Sequence, residues 1–337
     1  MPCSYFYRRR VNTFINESIT IIILSPDLNI MKYYPSVRYV LLLVAGTTAG
    51  VSLFQKLSNE SVSSTDLHEE RRNLRVFPIT FADPKSVSPR SGVYPPFVTS
   101  ATKCAAPISA EDIEMFSRSQ NHEDEYLMKW FSNLCGGTYI ELGALDGVRF
   151  SNSHLFHHGL QWKGVLIELI ESNYNKLVKN RPNEIATVHA GVCSEPQILH
   201  YVAGDSNAVG GIYEFSTSEF REKWWKDISL AHPSVKEIEC DTMDSLLLKH
   251  APDTRFFDFL SLDVEGAELA VLESIDFDRV GFGIVFAEAD NTNELKNLAM
   301  RELMESKGYN FLFESHKPRS YWWANKEISS IYKDLVY

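Results

Sequence analysis

The chain has 337 residues, of which 44% are hydrophobic and 23% are charged, and its formal net charge is -11 at pH 7. A chain of this length and composition can bury at least one full hydrophobic core, which argues against an intrinsically disordered protein. The negative charge, together with the absence of any long lysine and arginine cluster, argues against a protein that binds nucleic acid along its phosphates.

The most distinctive part of the N-terminal region is an apolar segment. Residues 39–55 contain no charged side chain and are bounded by Arg38 and Lys56. Both cations can snorkel to a membrane surface, which extends the segment to residues 37–57 and reaches the ~20 residues that a bilayer core requires. We therefore predict a single transmembrane anchor at residues 37–57, after a short tail at residues 1–36. A cleaved signal peptide and a buried helix are the alternatives.

Residues 58–107 follow this segment and are rich in serine and proline, with no sustained apolar period. Such a composition is typical of a stem or linker. A tail, an anchor, a stem and a large domain at residues 108–337 form the layout of a single-pass membrane protein that displays its domain in a secretory lumen. Basic residues occur on both sides of the apolar segment, so the sequence specifies the orientation only weakly.

Four of the five cysteines follow the predicted anchor, namely Cys104, Cys135, Cys193 and Cys240. Their spacing contains no Cys-x-x-Cys pair, so they are either free core thiols or disulfides. A luminal domain would favour disulfides. Cys193 and Cys240 each end a strand-like run, "ATVHAGVC" and "VKEIEC", which makes them the preferred pair.

Helix-like and strand-like runs alternate along the large domain. Ser109 can cap a helix that begins at Ala110. The later runs are strands at 138–144, 163–169, 186–192, 256–264 and 282–290, helices at 152–160, 172–180, 265–272 and 294–306, and two closing strands at 309–315 and 321–326. This order predicts an α/β fold with a doubly wound, mainly parallel sheet that ends in an antiparallel edge hairpin.

Between Cys193 and Phe256 the alternation breaks, and the aromatic, charged stretch "FREKWWKD" lies within this insertion. We expect the insertion to cover the ligand side of the sheet. Trp224 and Trp225 could stack on a sugar ring, or they could be packing residues of a lid.

In a doubly wound sheet, ligands bind beyond the carboxyl ends of the strands. Here those ends supply acids: Glu141 and Asp146 in the first loop, Glu168 after the second strand, and Asp263 and Glu265 after the fourth. The first loop, with Gly143 and Gly147, lacks the Gly-x-Gly-x-x-Gly pattern that binds a dinucleotide pyrophosphate. An acidic mouth instead suits a cationic ligand without phosphate, such as S-adenosylmethionine, and Glu168 is placed to accept hydrogen bonds from both ribose hydroxyls.

Four separated runs, "IELGALDGVRFSNSHLF", "WKGVLIELIESNYNKLVKNRP", "DFLSLDVEGAELAVLESIDF" and "LMESKGYNFLF", resemble the FkbM family of S-adenosylmethionine-dependent methyltransferases over residues 137–326. The resemblance implies a class I (Rossmann-like) methyltransferase fold and O-methylation of a hydroxyl on a glycan or a small molecule. It also implies a set of cofactor-binding residues: Glu141, Gly143, Ala144, Asp146, Gly147, Ser151, Asn152, Glu168 and Asp263. The chain departs from the family pattern at Ser172, where proline is usual, and at His157 or His158, where glutamate is usual.

The layout also resembles a narrower, Star-like group that carries an FkbM-like domain behind one membrane anchor. This resemblance implies residence in the endoplasmic reticulum and Golgi. It gives the alternative function, a non-catalytic protein that binds a cargo protein in vesicle-mediated trafficking.

Methyl transfer to a hydroxyl benefits from a general base. Asp263 and Glu265 are the catalytic candidates, since they follow a strand end directly. The alternative is that Asp263 only binds the cofactor and Glu265 only favours a helix N-terminus. His154, His157 and His158 share one helical face, but no carboxylate or cysteine motif accompanies them, so we expect no metal site.

Overall fold

The computed structural model describes residues 95–203, 210–289, 293–316 and 319–336. The predicted tail, the predicted anchor and the predicted stem up to residue 94 lie outside these residues. Within them, no helix has the length and apolar character that crossing a membrane requires.

The described residues form ten helices: α1 (Ala110–Phe116), α2 (Glu123–Phe131), α3 (His154–Leu160), α4 (Glu171–Asn180), α5 (Ser218–Trp224), α6 (Met243–His250), α7 (Glu268–Glu273), α8 (Glu294–Ser306), α9 (Ile328–Ile331) and α10 (Lys333–Val336). The predicted cap of α1 is confirmed, because the Ser109 hydroxyl accepts a hydrogen bond of 3.0 Å from the Asp112 N–H. The helix stops at Phe116, where the Asp124 carboxylate accepts hydrogen bonds from Ser117 Oγ and the Arg118 N–H and closes a turn before α2.

Thirteen strands occur in the same residues: β1 (Thr102–Lys103), β2 (Leu134–Cys135), β3 (Thr138–Leu142), β4 (Lys163–Glu168), β5 (Ala186–His189), β6 (Gly191–Val192), β7 (Gln197–Val202), β8 (Gly211–Ile212), β9 (Val235–Asp241), β10 (Phe256–Leu262), β11 (Gly281–Glu288), β12 (Tyr309–His316) and β13 (Arg319–Asn325). Seven of them form the main sheet in the order β12-β13-β11-β10-β3-β4-β5. Five neighbouring strands of this sheet are parallel, namely β11, β10, β3, β4 and β5. Strand β13 runs antiparallel to both β11 and β12. The predicted α/β, doubly wound, class I (Rossmann-like) sheet with an antiparallel edge hairpin is confirmed.

Helices cover both faces of this sheet. Successive side chains of a strand point to opposite faces, so neighbouring residues of β3 contact different helices. Ile140 and Leu142 of β3 belong to a buried cluster that includes residues of α6, α7 and α8. Tyr139 of the same strand belongs to a second cluster, with residues of α2, α3 and α4. The strand order reverses between β3 and β10, so the carboxyl ends of these two neighbours form the crevice in which such sheets bind ligands.

The predicted insertion forms a second, smaller sheet. Four strands pair in the order β6-β9-β7-β8, and α5 lies between β8 and β9 in the chain. The preferred disulfide between Cys193 and Cys240 is confirmed, and it ties the residue after β6 to β9. The insertion is therefore cross-linked to the chain that leaves the main sheet after β5.

The large domain begins before residue 108, the boundary expected from the sequence. Cys104 forms a disulfide with Cys135, and β1 pairs with β2. Phe97 is buried, with its ring centroid 5.9 Å from that of Phe256. Residues 95–107, assigned to the stem from their composition, thus pack on the domain because this short stretch supplies a disulfide and a core aromatic.

Asp258 in β10 joins three distant parts of the chain. Its carboxylate is fully buried and accepts hydrogen bonds from Thr99 Oγ1 at 2.6 Å, the Thr138 N–H at 2.7 Å and Tyr332 Oη at 2.5 Å. Burial raises the pKa of this carboxyl, and the three donors act in the opposite direction. These bonds satisfy a polar group that would otherwise be costly to bury.

Candidate active site

A cavity of about 250 Å³ lies at the carboxyl ends of β3, β4 and β10 and extends beneath the insertion. Seven of the residues singled out in the sequence line it: Glu141, Gly143, Asp146, Asn152, Glu168, Asp263 and Glu265. Ala144, Gly147 and Ser151 belong to the loop between β3 and α3 but do not line the cavity. The structure therefore gathers most of the predicted site at one place, and the binding role of each residue stays a prediction.

Glu141 organises the loop between β3 and α3. Its buried carboxylate accepts hydrogen bonds from the Asn152 N–H at 2.7 Å, Ser151 Oγ at 2.9 Å and Ser153 Oγ at 2.5 Å. Burial raises the pKa of Glu141, while Arg181 and the hydrogen bonds lower it. Three of its acceptor sites are thus used within the protein, which fixes the loop before a ligand enters.

A fully buried arginine, Arg181, supports the same loop from the side away from the cavity. Its guanidinium donates to the Gly147 carbonyl oxygen at 2.8 Å and to Ser153 Oγ at 3.0 Å. It also pairs with Glu184, which accepts a hydrogen bond from Tyr139 Oη. Hydrogen bonds and a buried ion pair thus hold the loop in one conformation.

Gly143 allows the first loop to pass close to the end of β10. Its φ is +75°, and a Cβ atom there would lie 2.0 Å from the carbonyl oxygen of Asp263. Only glycine fits this position, since any side chain would overlap backbone. The two strand ends therefore approach each other directly at the floor of the cavity.

Glu168 ends β4 and faces the cavity. Its Oε2 accepts a hydrogen bond of 2.8 Å from the Leu145 N–H, and its Oε1 accepts one of 2.7 Å from the Ile170 N–H. Burial raises the pKa of Glu168, and the two backbone donors lower it. Each carboxylate oxygen has a second lone pair, so Glu168 can also accept hydrogen bonds from a ligand.

Asp263 lies at the cavity floor among other acids. It keeps accessible surface because it faces the cavity, and it lies beside Glu288, the last residue of β11. Glu265 follows with a left-handed backbone, φ 54°, which is unusual for a residue with a side chain. Strain of this kind is often found at functional sites.

Glu268, in the first turn of α7, fixes the loop that carries Asp263 and Glu265. It is fully buried and accepts hydrogen bonds of 3.2 Å from the N–H groups of Val264 and Gly266. Its second oxygen forms an ion pair of 2.5 Å with Lys296 in α8. The loop is thus anchored to two helices.

The insertion provides the opposite wall of the cavity, with Leu199, Tyr201 and Ile212 among its lining residues. Burial, followed by the charges of Glu168 and Glu265, raises the pKa of Tyr201 to about 12. The phenol is therefore neutral, and able to donate a hydrogen bond, at physiological pH.

Neither Trp224 nor Trp225 lines the cavity. Trp225 is buried and packs against Tyr213 and Phe220, whereas Trp224 is 49% exposed beneath the ammonium of Lys223. The packing alternative therefore accounts for Trp225, and a ligand in this cavity does not stack on either ring.

The three histidines of α3 have protein partners. His154 Nδ1 lies 2.8 Å from the Phe116 carbonyl oxygen, His157 Nδ1 lies 3.0 Å from Glu184, and His158 stacks on Phe116. In the part of the chain that the structure describes, no group of three or more metal-ligating side chains occurs.

The sequence contains a signal for one further site residue, Glu288, but none for another, Arg181. Glu288 ends a parallel strand, as Glu168 does, so the strand-end rule alone could have found it. Arg181 had no such signal, because its partners in the loop and in β3 lie about 30–40 residues away in sequence and only the fold brings them together.

The chemistry of the cavity wall fits a cationic nucleoside without phosphate. Its charged lining residues are the five carboxylates Glu141, Asp146, Glu168, Asp263 and Glu265 and the two cations Arg149 and Lys176. Among the described lining residues, acids therefore outnumber cations. This balance attracts a sulfonium or an ammonium group and repels a phosphate.

The family model described as "Methyltransferase FkbM domain" matches residues 141–311, which is half of the chain. No curated protein matches the sequence. Among solved structures, the methyltransferase FkbM from Methylobacillus flagellatus KT is 12% identical, with a TM-score of 0.35, and the match covers 56% of this chain and 43% of that one. The chain therefore spans less than half the length of that protein.

Two further structures show a similar degree of likeness. Precorrin-6y C5,15-methyltransferase from Geobacter metallireducens GS-15 is 13% identical, with a TM-score of 0.33 and coverage of 63% of this chain and 95% of that one. Fibrillarin from Aeropyrum pernix, in complex with natively bound S-adenosyl-L-methionine, is 12% identical, with a TM-score of 0.32 and coverage of 61% and 75%.

Proposed function

The chain belongs to the FkbM methyltransferase family, and we propose that it transfers the methyl group of its cofactor, S-adenosylmethionine, to a hydroxyl group of a glycan or a small molecule. The observation that carries this proposal is the acid-lined cavity at the carboxyl ends of β3, β4 and β10. Its position suits a nucleoside ligand, and its charge suits a cation.

In this proposal Glu168 accepts hydrogen bonds from the ribose hydroxyls, because its carboxylate is held in place by the Leu145 and Ile170 N–H groups. The Gly143 loop and Asp146 surround the methionine part of the cofactor. The cofactor supplies a methyl group already activated by a sulfonium, so the protein mainly positions the acceptor and excludes water.

A hydroxyl acceptor must lose its proton as the new C–O bond forms. Asp263 and Glu265 are the candidate bases, since both line the cavity directly after β10. Burial raises the pKa of Asp263, and the charge of Glu268 adds to this increase. A carboxylate with a raised pKa is a stronger base near neutral pH than an ordinary aspartate. In the alternative role, Asp263 contacts only the cofactor.

Calorimetric titration of the full chain with S-adenosylmethionine tests the cofactor site. We expect saturable binding that the substitution Glu168→Ala abolishes and the substitution Glu171→Ala preserves. Glu171 is the matched control, because it lies three residues away and its side chain is exposed. Absence of binding by the folded wild-type chain would refute the proposed activity.

The acceptor class can be tested by the chemistry of the product. The full chain is incubated with methyl-labelled S-adenosylmethionine and a glycan-rich extract, and the labelled product is treated with mild base. An O-methyl ether withstands this treatment, whereas a methyl ester releases methanol. Label that is lost to base would refute O-methylation of a hydroxyl.

We also propose that the domain lies in the lumen of the endoplasmic reticulum or Golgi behind an anchor at residues 37–57. Two disulfides in the described domain support this location, because disulfides persist in oxidising compartments. Protease protection in sealed vesicles provides the test. A domain digested without detergent would lie on the cytosolic side and would overturn the proposal.

The alternative is a Star-like protein that binds cargo and performs no methyl transfer. The departures from the family pattern at Ser172 and at His157 or His158 favour it, whereas the uncharged segment at residues 39–55 fits both functions. Expression of the Glu168→Ala variant in cells that lack the protein discriminates between the two functions. Restored cargo export would support the trafficking role, and lost export would support the enzyme.

A further inference from the structure

Asp263 and Glu288 lie side by side at the ends of neighbouring parallel strands. Leu262 of β10 is in register with Ala287 of β11. The residues that come next, Asp263 and Glu288, are therefore also neighbours. Two ionised carboxylates at adjacent strand ends repel each other. One proton held between the two groups removes this repulsion, because a protonated carboxyl group can donate a hydrogen bond to its ionised neighbour.

The surroundings of the pair explain why it keeps a proton. The charged groups that act on it from the described elements are Glu123 of α2, Glu141 of β3, Glu265 in the following loop and Glu268 of α7. The ammonium of Lys296 in α8 is bonded to Glu268. Burial and the neighbouring carboxylates raise the pKa values of both members of the pair.

We propose that Asp263 and Glu288 share one proton before the cofactor binds, and that the pair releases this proton when S-adenosylmethionine enters. This inference rests on the proposed function for the identity of the cofactor. A positive charge beside two carboxylates favours the doubly ionised pair. The product, S-adenosylhomocysteine, lacks the sulfonium charge and leaves the proton in place, so the pair favours the methyl donor over the product.

The pair then regains its shared proton during methyl transfer. The acceptor O–H bond breaks and a C–O bond to the methyl group forms, while the electron pair of the broken S–C bond stays on sulfur. The doubly ionised pair takes up the acceptor proton. Each cycle therefore releases one proton to solvent when the next cofactor molecule binds, and Glu288 acts as a positioning residue that tunes Asp263.

Isothermal titration of the full chain at pH 7, in buffers with different ionisation enthalpies, measures protons released on binding. We expect about one proton for S-adenosylmethionine, and its affinity should rise with pH by up to about tenfold per unit. Binding of S-adenosylhomocysteine should release much less than one proton per molecule bound, and its affinity should change little with pH.

The substitution Glu288→Gln keeps a hydrogen-bond donor to Asp263 but carries no exchangeable carboxyl proton. We expect it to bind S-adenosylmethionine without proton release and without the pH dependence. The substitution Glu273→Gln, at an exposed residue of α7, is the control and should retain both. Asp263→Asn is a second variant, in case Glu288→Gln does not fold, and it should also abolish proton release.

Two results would overturn the inference. One is equal proton release with both ligands, and the other is release that persists in Glu288→Gln. Either leaves the proposed function intact, because the cofactor still binds. Absence of binding by the wild-type chain would instead overturn both proposals.

Discussion

The Arg181 guanidinium donates a hydrogen bond of 2.8 Å to the carbonyl oxygen of Gly147, and this bond ties the end of α4 to the loop that lines the cavity. The same guanidinium is the charge partner of Glu184 and lowers the pKa of Glu141. One buried cation thus compensates two buried acids and holds the loop between β3 and α3.

Replacing this arginine should destabilise the domain strongly. Arg181→Met leaves the carboxylates of Glu141 and Glu184 without their cation, and breaking a buried ion pair in this way costs about 3–5 kcal/mol. Urea unfolding measures the free-energy change. Arg301→Met is the control, because Arg301 is an exposed arginine paired with Glu305, and exposed pairs contribute about 0–1 kcal/mol. Equal losses in the two variants would contradict the role given to Arg181.

The two disulfides should differ in their effect on cofactor binding. Replacing both cysteines of either bridge with serine should cost about 2–5 kcal/mol of stability. Only the loss of Cys193–Cys240 should also weaken S-adenosylmethionine binding. Val192, which precedes Cys193, and Ile238, two residues before Cys240, both line the cavity. Calorimetric titration of the two double variants provides the comparison. The idea fails if loss of Cys104–Cys135 weakens binding as much.

The hydroxyl of Tyr201 should contribute to ligand binding. Its pKa of about 12 keeps the phenol protonated, and its charged neighbours Glu168 and Glu265 lie at the cavity. Tyr201→Phe removes one neutral hydrogen bond, so affinity for S-adenosylmethionine should fall about 5- to 10-fold. Tyr213→Phe is the control, since Tyr213 packs against Trp225 and does not line the cavity. An unchanged dissociation constant in Tyr201→Phe would exclude the contact.

Acid should destabilise the domain partly through His154. Burial lowers the pKa of this histidine to about 4, whereas an unfolded histidine titrates near 6.5. Between these values the unfolded state binds more protons than the folded state, so stability falls as the pH falls from about 6.5 to about 4. Urea unfolding at several pH values should show a shallower slope for His154→Gln. His232→Gln, at an exposed site, should match the wild type.

The sheet could be predicted from the sequence because its signals are local. The buried run "FFDFLSL" and the alternation of strands with helices gave β10 and its neighbours to within a few residues. The strand-end rule likewise placed Glu168 and Asp263 at one cavity, since it depends only on chain order in a parallel sheet.

The remaining features depend on contacts that no local pattern encodes. Residues 95–107 have the composition of a linker, yet Phe97 and Cys104 fasten them to the domain. The three hydrogen bonds that the Glu141 carboxylate accepts come from residues about ten positions later in the chain. The loop is also held by hydrogen bonds from Arg181, which is distant in sequence, so the structural role of Glu141 was not visible in the sequence.

The buried carboxylate of Asp258 also has a consequence for how the domain is made. Its three hydrogen-bond donors, Thr99, Thr138 and Tyr332, are spread over more than two hundred residues. A ribosome adds residues one after another, so the last donor arrives long after the strand that needs it. The full set of hydrogen bonds to Asp258 therefore cannot form before Tyr332 is available, and the centre of the sheet is completed late in folding.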